Sequence, residues 1–390
     1  MKKLAAILFA TAILCGCSSK NSSSGNVSTV APNYEGIEAP TDESGIIDWA
    51  TPYDTVLQDF RKTAECDDTA RFSIYDMNDD RLPELIISYG EAGNRNFLLY
   101  TIYDNALTSL GNYAGYSEFC LIMERNLIAT FAYQDNVQDV QLYREKNDKF
   151  ANVGSFQRTN DLNVVDDNEV TSDEYDAEYK RIFHGVLKQL GRDYGFYDDV
   201  INAALGRCED WKEAYASVMR DYLKTYDDDQ FSLFDITGDG IPELFVSGGY
   251  RYAPYVDIYA WNGCPVPIGT FGADGTIHYY ADRDELLCAY DGPSYSSGSI
   301  VRLNEVFKFE QLYSYGDNVA GVKTEKNEKP SYYIDAELVD KDSYVKSVNE
   351  KIAGSPYLLG QDNDLNQEAI DEFLKGHYKT SQTKAMALKS

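Results

Sequence analysis

Histidine and tryptophan are scarce, with three of each in 390 residues. His184 falls in a predicted helix, His278 in a predicted strand, and His377 near the C-terminus. No Ser-His-Asp set, Gly-x-Ser-x-Gly elbow, HExxH pair or Gly-rich phosphate loop accompanies them. Imidazole-based catalysis therefore has no sequence support. Basic residues are also few: 35 Lys and Arg face 64 Asp and Glu, a formal net charge of −29. Removing Lys2 and Lys3 with a leader makes it −29 − 2 = −31. Such a surface repels nucleic acid and anionic membrane. Beyond the N-terminus no apolar run is long enough to span a bilayer. Five cysteines follow Cys17, namely Cys66, Cys120, Cys208, Cys264 and Cys288, with no CxxC pair. An odd count prevents complete pairing, so buried free thiols are the simplest expectation. Carboxylates, by contrast, are too abundant for any pair to stand out as a glycosidase acid and nucleophile.

The N-terminus has a leader's layout. Lys2 and Lys3 precede an apolar run, Leu4 to Leu14, which is too short to span a membrane. Leu14-Cys15-Gly16-Cys17 resembles a bacterial lipobox, with Cys15 unusual at its position. The resemblance implies a signal peptide over 1–16 and a lipid on Cys17, anchoring the chain extracytoplasmically to the bacterial cell membrane. A plain cleaved signal is the alternative. Residues 17–46, rich in Ser, Asn and Pro, read as a flexible tether.

What the chain has in place of catalytic signatures is a repeated acidic stretch. FSLFDITGDGIPELFVSGG, Phe231 to Gly249, aligns without a gap to FSIYDMNDDRLPELIISYG, Phe72 to Gly90. Phe, Ser, Asp, Asp, Pro, Glu, Leu, Ser and Gly coincide at nine of nineteen positions, far above chance, which indicates an internal duplication. Further landmarks follow: Leu110-Gly111 with Ile268-Gly269, VTSDEY at Val170–Tyr175 with VDKDSY at Val339–Tyr344, and a Trp and Tyr opening each half.

Each stretch reads as strand, acidic turn, strand. Asp235, Thr237 and Asp239 alternate, Gly240 follows, and Glu243 closes the loop. Alternate oxygen side chains in a tight loop converge, as a hard cation such as Ca²⁺ requires. Gly240 permits the positive-φ turn. The twelfth position, where an EF-hand places a bidentate Glu, is Val246, so an EF-hand is excluded. The pattern resembles the DxDxDGxx[DE] calcium loops of integrin-type FG-GAP repeats and related secreted bacterial modules. The resemblance implies ligands Asp235, Thr237, Asp239, the Ile241 carbonyl and Glu243, with Thr237 weaker than the usual Asp or Asn. In the first loop it implies Asp76, Asn78, Asp80, the Leu82 carbonyl and Glu84. There Arg81 replaces the glycine, which costs backbone freedom and adds a positive charge. An acidic turn without metal, held at the first loop by an Arg81–carboxylate pair, is the alternative.

Apolar spacing predicts helices over Tyr53–Ala64, Tyr175–Leu190, Trp211–Tyr222, Tyr344–Ala353 and Gln367–Tyr378. Short strands joined by hairpin signals such as Asn262-Gly263 fill the intervals. The expected class is α+β: two tandem homologous units, 47–195 and 206–378, each an antiparallel β meander with flanking helices, and a disordered tail over 379–390.

Tyrosine is the remaining excess, at 32 residues. Tyr suits half-buried strands. Tyr250, Arg251, Tyr252, Phe271 and Tyr295 fall instead in predicted loops that a simple meander gathers at one rim. Rigid aromatics there suit glycan or surface-protein ligands. The expected function is an extracellular binding or scaffolding module stabilised by calcium. A cell-envelope hydrolase, or an accessory subunit of one acting on glycans, is the alternative.

Overall fold

The computed structural model describes residues 34–382 apart from 35, 42, 44, 135–136, 146–148, 184, 226–228, 249–254, 273–276, 292–294 and 319–330. The leader, Cys17, His184 and the loop residues Tyr250, Arg251 and Tyr252 lie outside them.

The strands pair antiparallel, and among the described residues they gather into four sheets. In the first half, β1 (Arg71–Tyr75), β2 (Glu84–Tyr89), β3 (Arg95–Tyr103) and β4 (Ala106–Tyr116) pair in sequence order. Then β5 (Glu118–Ile122), β6 (Leu127–Gln134), β7 (Val137–Glu145), β8 (Phe150–Arg158), β9 (Asn163–Val165) and β10 (Asn168–Glu169) build a second sheet, joined at its far edge by β11 (Leu187–Gln189). The second half has β12 (Gln230–Phe234), β13 (Glu243–Gly248), β14 (Tyr255–Trp261) and β15 (Pro265–Gly272), with β23 (Asn363–Asp364) beside β12. Its other sheet holds β16 (Ile277–Tyr280), β17 (Glu285–Asp291), β18 (Tyr295–Leu303), β19 (Phe309–Asn318), β20 (Ser331–Ile334) and β21 (Glu337–Val339), with β22 (Tyr357–Leu359) beside β16. The simple meander expected for each half is therefore divided in two.

Six helices are seen among the described residues: α1 (Ala50–Phe60), α2 (Ser172–Phe183), α3 (Asp198–Ala204), α4 (Trp211–Thr225), α5 (Lys341–Ile352) and α6 (Gln367–Leu374). Helix α1 buries Tyr53, Val56, Leu57 and Phe60, one stripe at helical spacing. Helix α2 is shorter than its apolar pattern predicts. Gly185 takes φ +121° just beyond it, and Leu187–Gln189 then pairs with β5. Val186, Lys188 and Leu190 point inward at a period of two. A lysine in the inward set hides that alternation from a hydrophobicity pattern.

The halves are not separate beads. Tyr53, Phe60 and Phe72 share one core with Tyr215, Met219, Phe231 and Leu244. On the other face of the sheets, Phe97, Phe119 and Leu121 share a second core with Phe245, Ile258 and Phe309. Only the two outer cores, under α2 and under α5, belong to one half each. The expected junction after residue 195 is itself helical. In α3, Val200, Ile201, Ala203 and Ala204 are buried, and its Asp198 pairs with Arg61, the residue that follows α1. At the start of the expected tail, the Lys379 N–H donates to Asn363 Oδ1 at 2.8 Å and the Leu358 N–H to the Gln382 carbonyl at 3.3 Å.

Several contacts recur between the halves. The Gly191 N–H donates to Ser73 Oγ at 2.6 Å, and the Gly360 N–H to Ser232 Oγ at 2.6 Å. The Ser155 N–H donates to Asp166 Oδ1 at 2.8 Å, and the Ser314 N–H to Asp335 Oδ1 at 2.7 Å. Tyr34 meets Tyr100 edge-on at 6.0 Å, and Tyr194 meets Tyr259 at 6.1 Å.

Candidate metal loops

Each acidic stretch is a hairpin connection. Tyr75 pairs with Glu84 across β1 and β2, and Phe234 with Glu243 across β12 and β13. The strands thus bring the first and last acidic residues of each loop together. Within the loops, four backbone N–H groups find side-chain acceptors in the same order. In the second loop, Ile236 donates to Glu243 at 2.7 Å, Gly238 and Gly240 to Asp235 at 2.6 and 2.9 Å, and Ile241 to Asp239 at 2.7 Å. In the first, Met77 donates to Glu84 at 2.8 Å, Asp79 and Arg81 to Asp76 at 2.7 and 3.0 Å, and Leu82 to Asp80 at 2.8 Å. The turns share their backbone too. Gly238 and Gly240 have φ +75° and +89°, and Asp79 and Arg81 have +66° and +71°. Arg81 therefore adopts a left-handed conformation that glycine takes without strain.

The closing glutamates are deeply buried, Glu84 at 0% and Glu243 at 1% exposure. Burial pushes the Glu243 carboxyl up to about 7, against the Ile236 N–H and the Thr237 hydroxyl, which favour its charged form. Burial likewise pushes Glu84 well up, and Glu145 on β7 adds to the rise. Thr237 Oγ1 donates to Glu243 Oε1 at 3.1 Å, and Thr101 Oγ1 to Glu84 Oε1 at 3.1 Å.

The surroundings differ. Lys308, from the turn between β18 and β19, places Nζ 2.6 Å from Asp79 Oδ1 and 3.1 Å from Asn126 Oδ1. Asn126 Nδ2 donates to Asp79 Oδ2 at 2.8 Å. Burial alone would raise the Asp79 carboxyl, but Lys308 and Asn126 outweigh it and hold it low. Asn78 donates to Glu145 at 3.1 Å, so a second sheet also reaches this loop. A cavity of about 160 Å³ lies beside it, lined in part by Asn78, Asn126, Arg144 and Glu145. In the second loop the position of Asp79 is Gly238, which has no side chain to bridge. No ion pair to Asp235, Asp239 or Glu243 forms among the described residues. The Arg81–carboxylate pair of the sequence analysis does not form either, and Lys308 supplies the positive charge instead. No local pattern signals Lys308 or Glu145, since one comes from the turn before β19 and the other from β7, both far along the chain.

The donor chemistry suits a hard cation, being oxygen throughout. Each carboxylate oxygen that accepts one N–H keeps a further lone pair. Among the described residues, however, no three His, Cys, Asp or Glu side chains are drawn together closely enough to hold a metal ion. A cation would have to draw the side chains of Asp235, Asp239 and Glu243 inward.

Of the aromatic-loop residues, Phe271 belongs to the core, 5.1 Å from the Phe309 ring, because β15 runs on through Gly272. Tyr295 opens β18. His278 lies in β16, and exposed His377 pairs with Glu372 at 2.9 Å. The five described cysteines are free, and burial pushes the Cys120 and Cys288 thiols up, away from thiolate chemistry. No helix among the described residues is long and apolar enough to cross a membrane. Searches against protein-family models and curated proteins find no match for this chain.

Proposed function

We propose that the protein is an extracytoplasmic, lipid-anchored binding or scaffolding module made of two tandem copies of one α+β unit, each stabilised through its acidic loop. The observation that carries this reading is the repetition of four loop hydrogen bonds in the same order on the same backbone. The recurring Ser73–Gly191 and Ser232–Gly360 contacts support the duplication independently. The anchor rests on Lys2, Lys3, the apolar run and Gly16-Cys17. Calcium is the proposed ligand of the second loop and, more weakly, of the first. When bound it would neutralise Asp235, Asp239 and Glu243 and tie β12 to β13.

The test is thermal melting of the chain without its leader, first in EDTA and then in millimolar Ca²⁺. Because the halves share two cores, the whole soluble chain is used. Stability should rise as RT ln(1 + [Ca²⁺]/Kd), about 2.7 kcal/mol at a hundredfold excess over Kd. Mg²⁺ should act poorly, since it prefers a smaller octahedral shell and keeps its waters. A melting curve indifferent to calcium would leave the loops as purely structural turns. The anchor is tested by labelling with a clickable fatty acid. The signal should vanish in Cys17→Ala, and equal labelling of both proteins would refute lipidation.

A further inference from the structure

A chain of four oxygens crosses the seam between the halves. Asp257 Oδ2 on β14 contacts the Tyr222 hydroxyl of α4. Tyr222 contacts the Tyr259 hydroxyl at 3.0 Å, and Tyr259 reaches the Asp193 carbonyl of the first half at 3.2 Å. The peptide that supplies this carbonyl also donates the Tyr194 N–H to the Phe72 carbonyl at 2.9 Å. One peptide group thus holds β1 on one side and β14 on the other.

The chain has three contacts, and its two hydroxyls carry one hydrogen each. A third hydrogen is needed to satisfy all three, and among the described contacts of this chain a protonated Asp257 oxygen is the atom able to bring it. With Asp257 neutral, it donates to Tyr222, Tyr222 to Tyr259, and Tyr259 to Asp193. With Asp257 ionised, its proton has gone to solvent and Tyr222 must donate to the carboxylate. That polarises Tyr222 as an acceptor, so the Tyr259 hydrogen turns toward it and releases the Asp193 carbonyl.

We propose that Asp257 is a protonation-controlled latch: its neutral form completes the hydrogen-bond chain that joins the halves, and its ionisation opens the last link. The groups facing it agree. Lys188, a buried cation acting on Asp257, is engaged by Asp193, Nζ to Oδ1 at 3.0 Å. Tyr222 and Asp221 face the seam from α4, Tyr255 and Tyr259 flank Asp257 on its own strand, and Val246 is its neighbour on β13. On β15, Thr270 donates to Asp257 Oδ1 at 2.6 Å in either state. Burial, opposed by the Thr270 and Tyr222 hydroxyls, pushes the Asp257 carboxyl up to about 6 from an ordinary 3.8. A carboxyl raised in the folded state stabilises the fold at low pH. That contribution is complete below 3.8 and is lost as pH rises through about 6.

The experiment uses the whole soluble chain. Carbon-13 carboxyl NMR should show Asp257 titrating near pH 6; a midpoint in the ordinary range, about 4, would overturn the proposal. Exchange of the Tyr194 amide, corrected for intrinsic rate, should quicken roughly tenfold between pH 5 and 8, the worth of one hydrogen bond. Asp257→Asn keeps a neutral donor and should abolish that pH dependence. Tyr259→Phe removes the crossing link and should give fast exchange at both pH values. If the Asn variant does not fold, the wild-type titration and Tyr259→Phe still decide. A pH-dependent exchange retained in Tyr259→Phe would place the switch elsewhere.

Discussion

The two acidic loops share a backbone and differ in company. Asp76 and Asp235 each take two loop N–H groups, and Glu84 and Glu243 each close a loop from a buried position. Yet the first loop is bridged by Lys308 from the other half of the chain, and the second is bridged by no cation among the described residues. The difference traces to one position, Asp79 against Gly238. A carboxylate there reaches out to a distant ammonium, whereas a glycine leaves the loop's own carboxylates as its only charges. The first loop thereby helps hold the halves together, whereas the carboxylates of the second have no ion-pair partner among the described residues.

The largest effect should come from breaking the bridge. Lys308 is 5% exposed and Asp79 40%. Asp79→Ala would strand a buried ammonium, at a cost of about 3 kcal/mol. Urea unfolding of the soluble chain measures it. The equivalent change, Gly238→Ala, breaks no bridge and meets nothing within 4 Å, so only its φ of +75° opposes it. Equal losses at the two positions would remove the distinction between the loops.

Calcium sharpens the comparison from the other side. Asp235→Ala should abolish most of a calcium-dependent gain of about 2.7 kcal/mol at a hundredfold excess over Kd. Asp76→Ala should remove less of it, because the first loop carries the positive charge of Arg81 and has Lys308 held against it by Asp79. Calorimetric titration of both variants reads the order directly, and a larger loss in Asp76→Ala would reverse the assignment.

A third pair tests likeness rather than difference. Ser73 Oγ accepts from Gly191 and Arg192 at 2.6 and 3.2 Å, and Ser232 Oγ from Gly360 and Asp362 at 2.6 and 3.3 Å. Both serines are fully buried. Replacing either with Ala leaves one buried and one part-buried N–H group without its acceptor and should cost about 2 kcal/mol. Matching losses by urea unfolding would support one ancestral unit; a loss in one half alone would argue against it.

Much of this was legible in the sequence for a local reason. The strands around each loop carry continuous apolar runs, and the loop residues bond within eight positions of themselves. What stayed hidden is long-range. Lys308 lies more than two hundred residues from Asp79. Strand β11 contains an inward lysine that disguises its period. The short hairpin of β9 and β10 turns on Asp166 and Asp167, both at positive φ, in a stretch too polar to read as strand. The split of each meander into two sheets, and the cores that span both halves, depend on how sheets stack, which no single stretch encodes.

The smallest effect concerns the residue on which the loops differ most in sequence. Arg81 occupies the turn position of Gly240 at φ +71°. A left-handed conformation costs a non-glycine residue about 1–2 kcal/mol. Arg81→Gly would remove that strain but make the unfolded chain more flexible, a loss of about 0.4–1 kcal/mol. The side chain pairs with no carboxylate among the described residues, so no interaction offsets the change. The net expectation is a gain of about 0.5 kcal/mol by urea unfolding. Removing a positive charge beside Asp76 and Asp80 should also strengthen calcium binding at the first loop. Because Lys308 remains, affinity should still fall short of the second loop. If Arg81→Gly destabilises the chain, Arg81 holds a contact that outweighs its strain, and the two loops differ by more than the bridge.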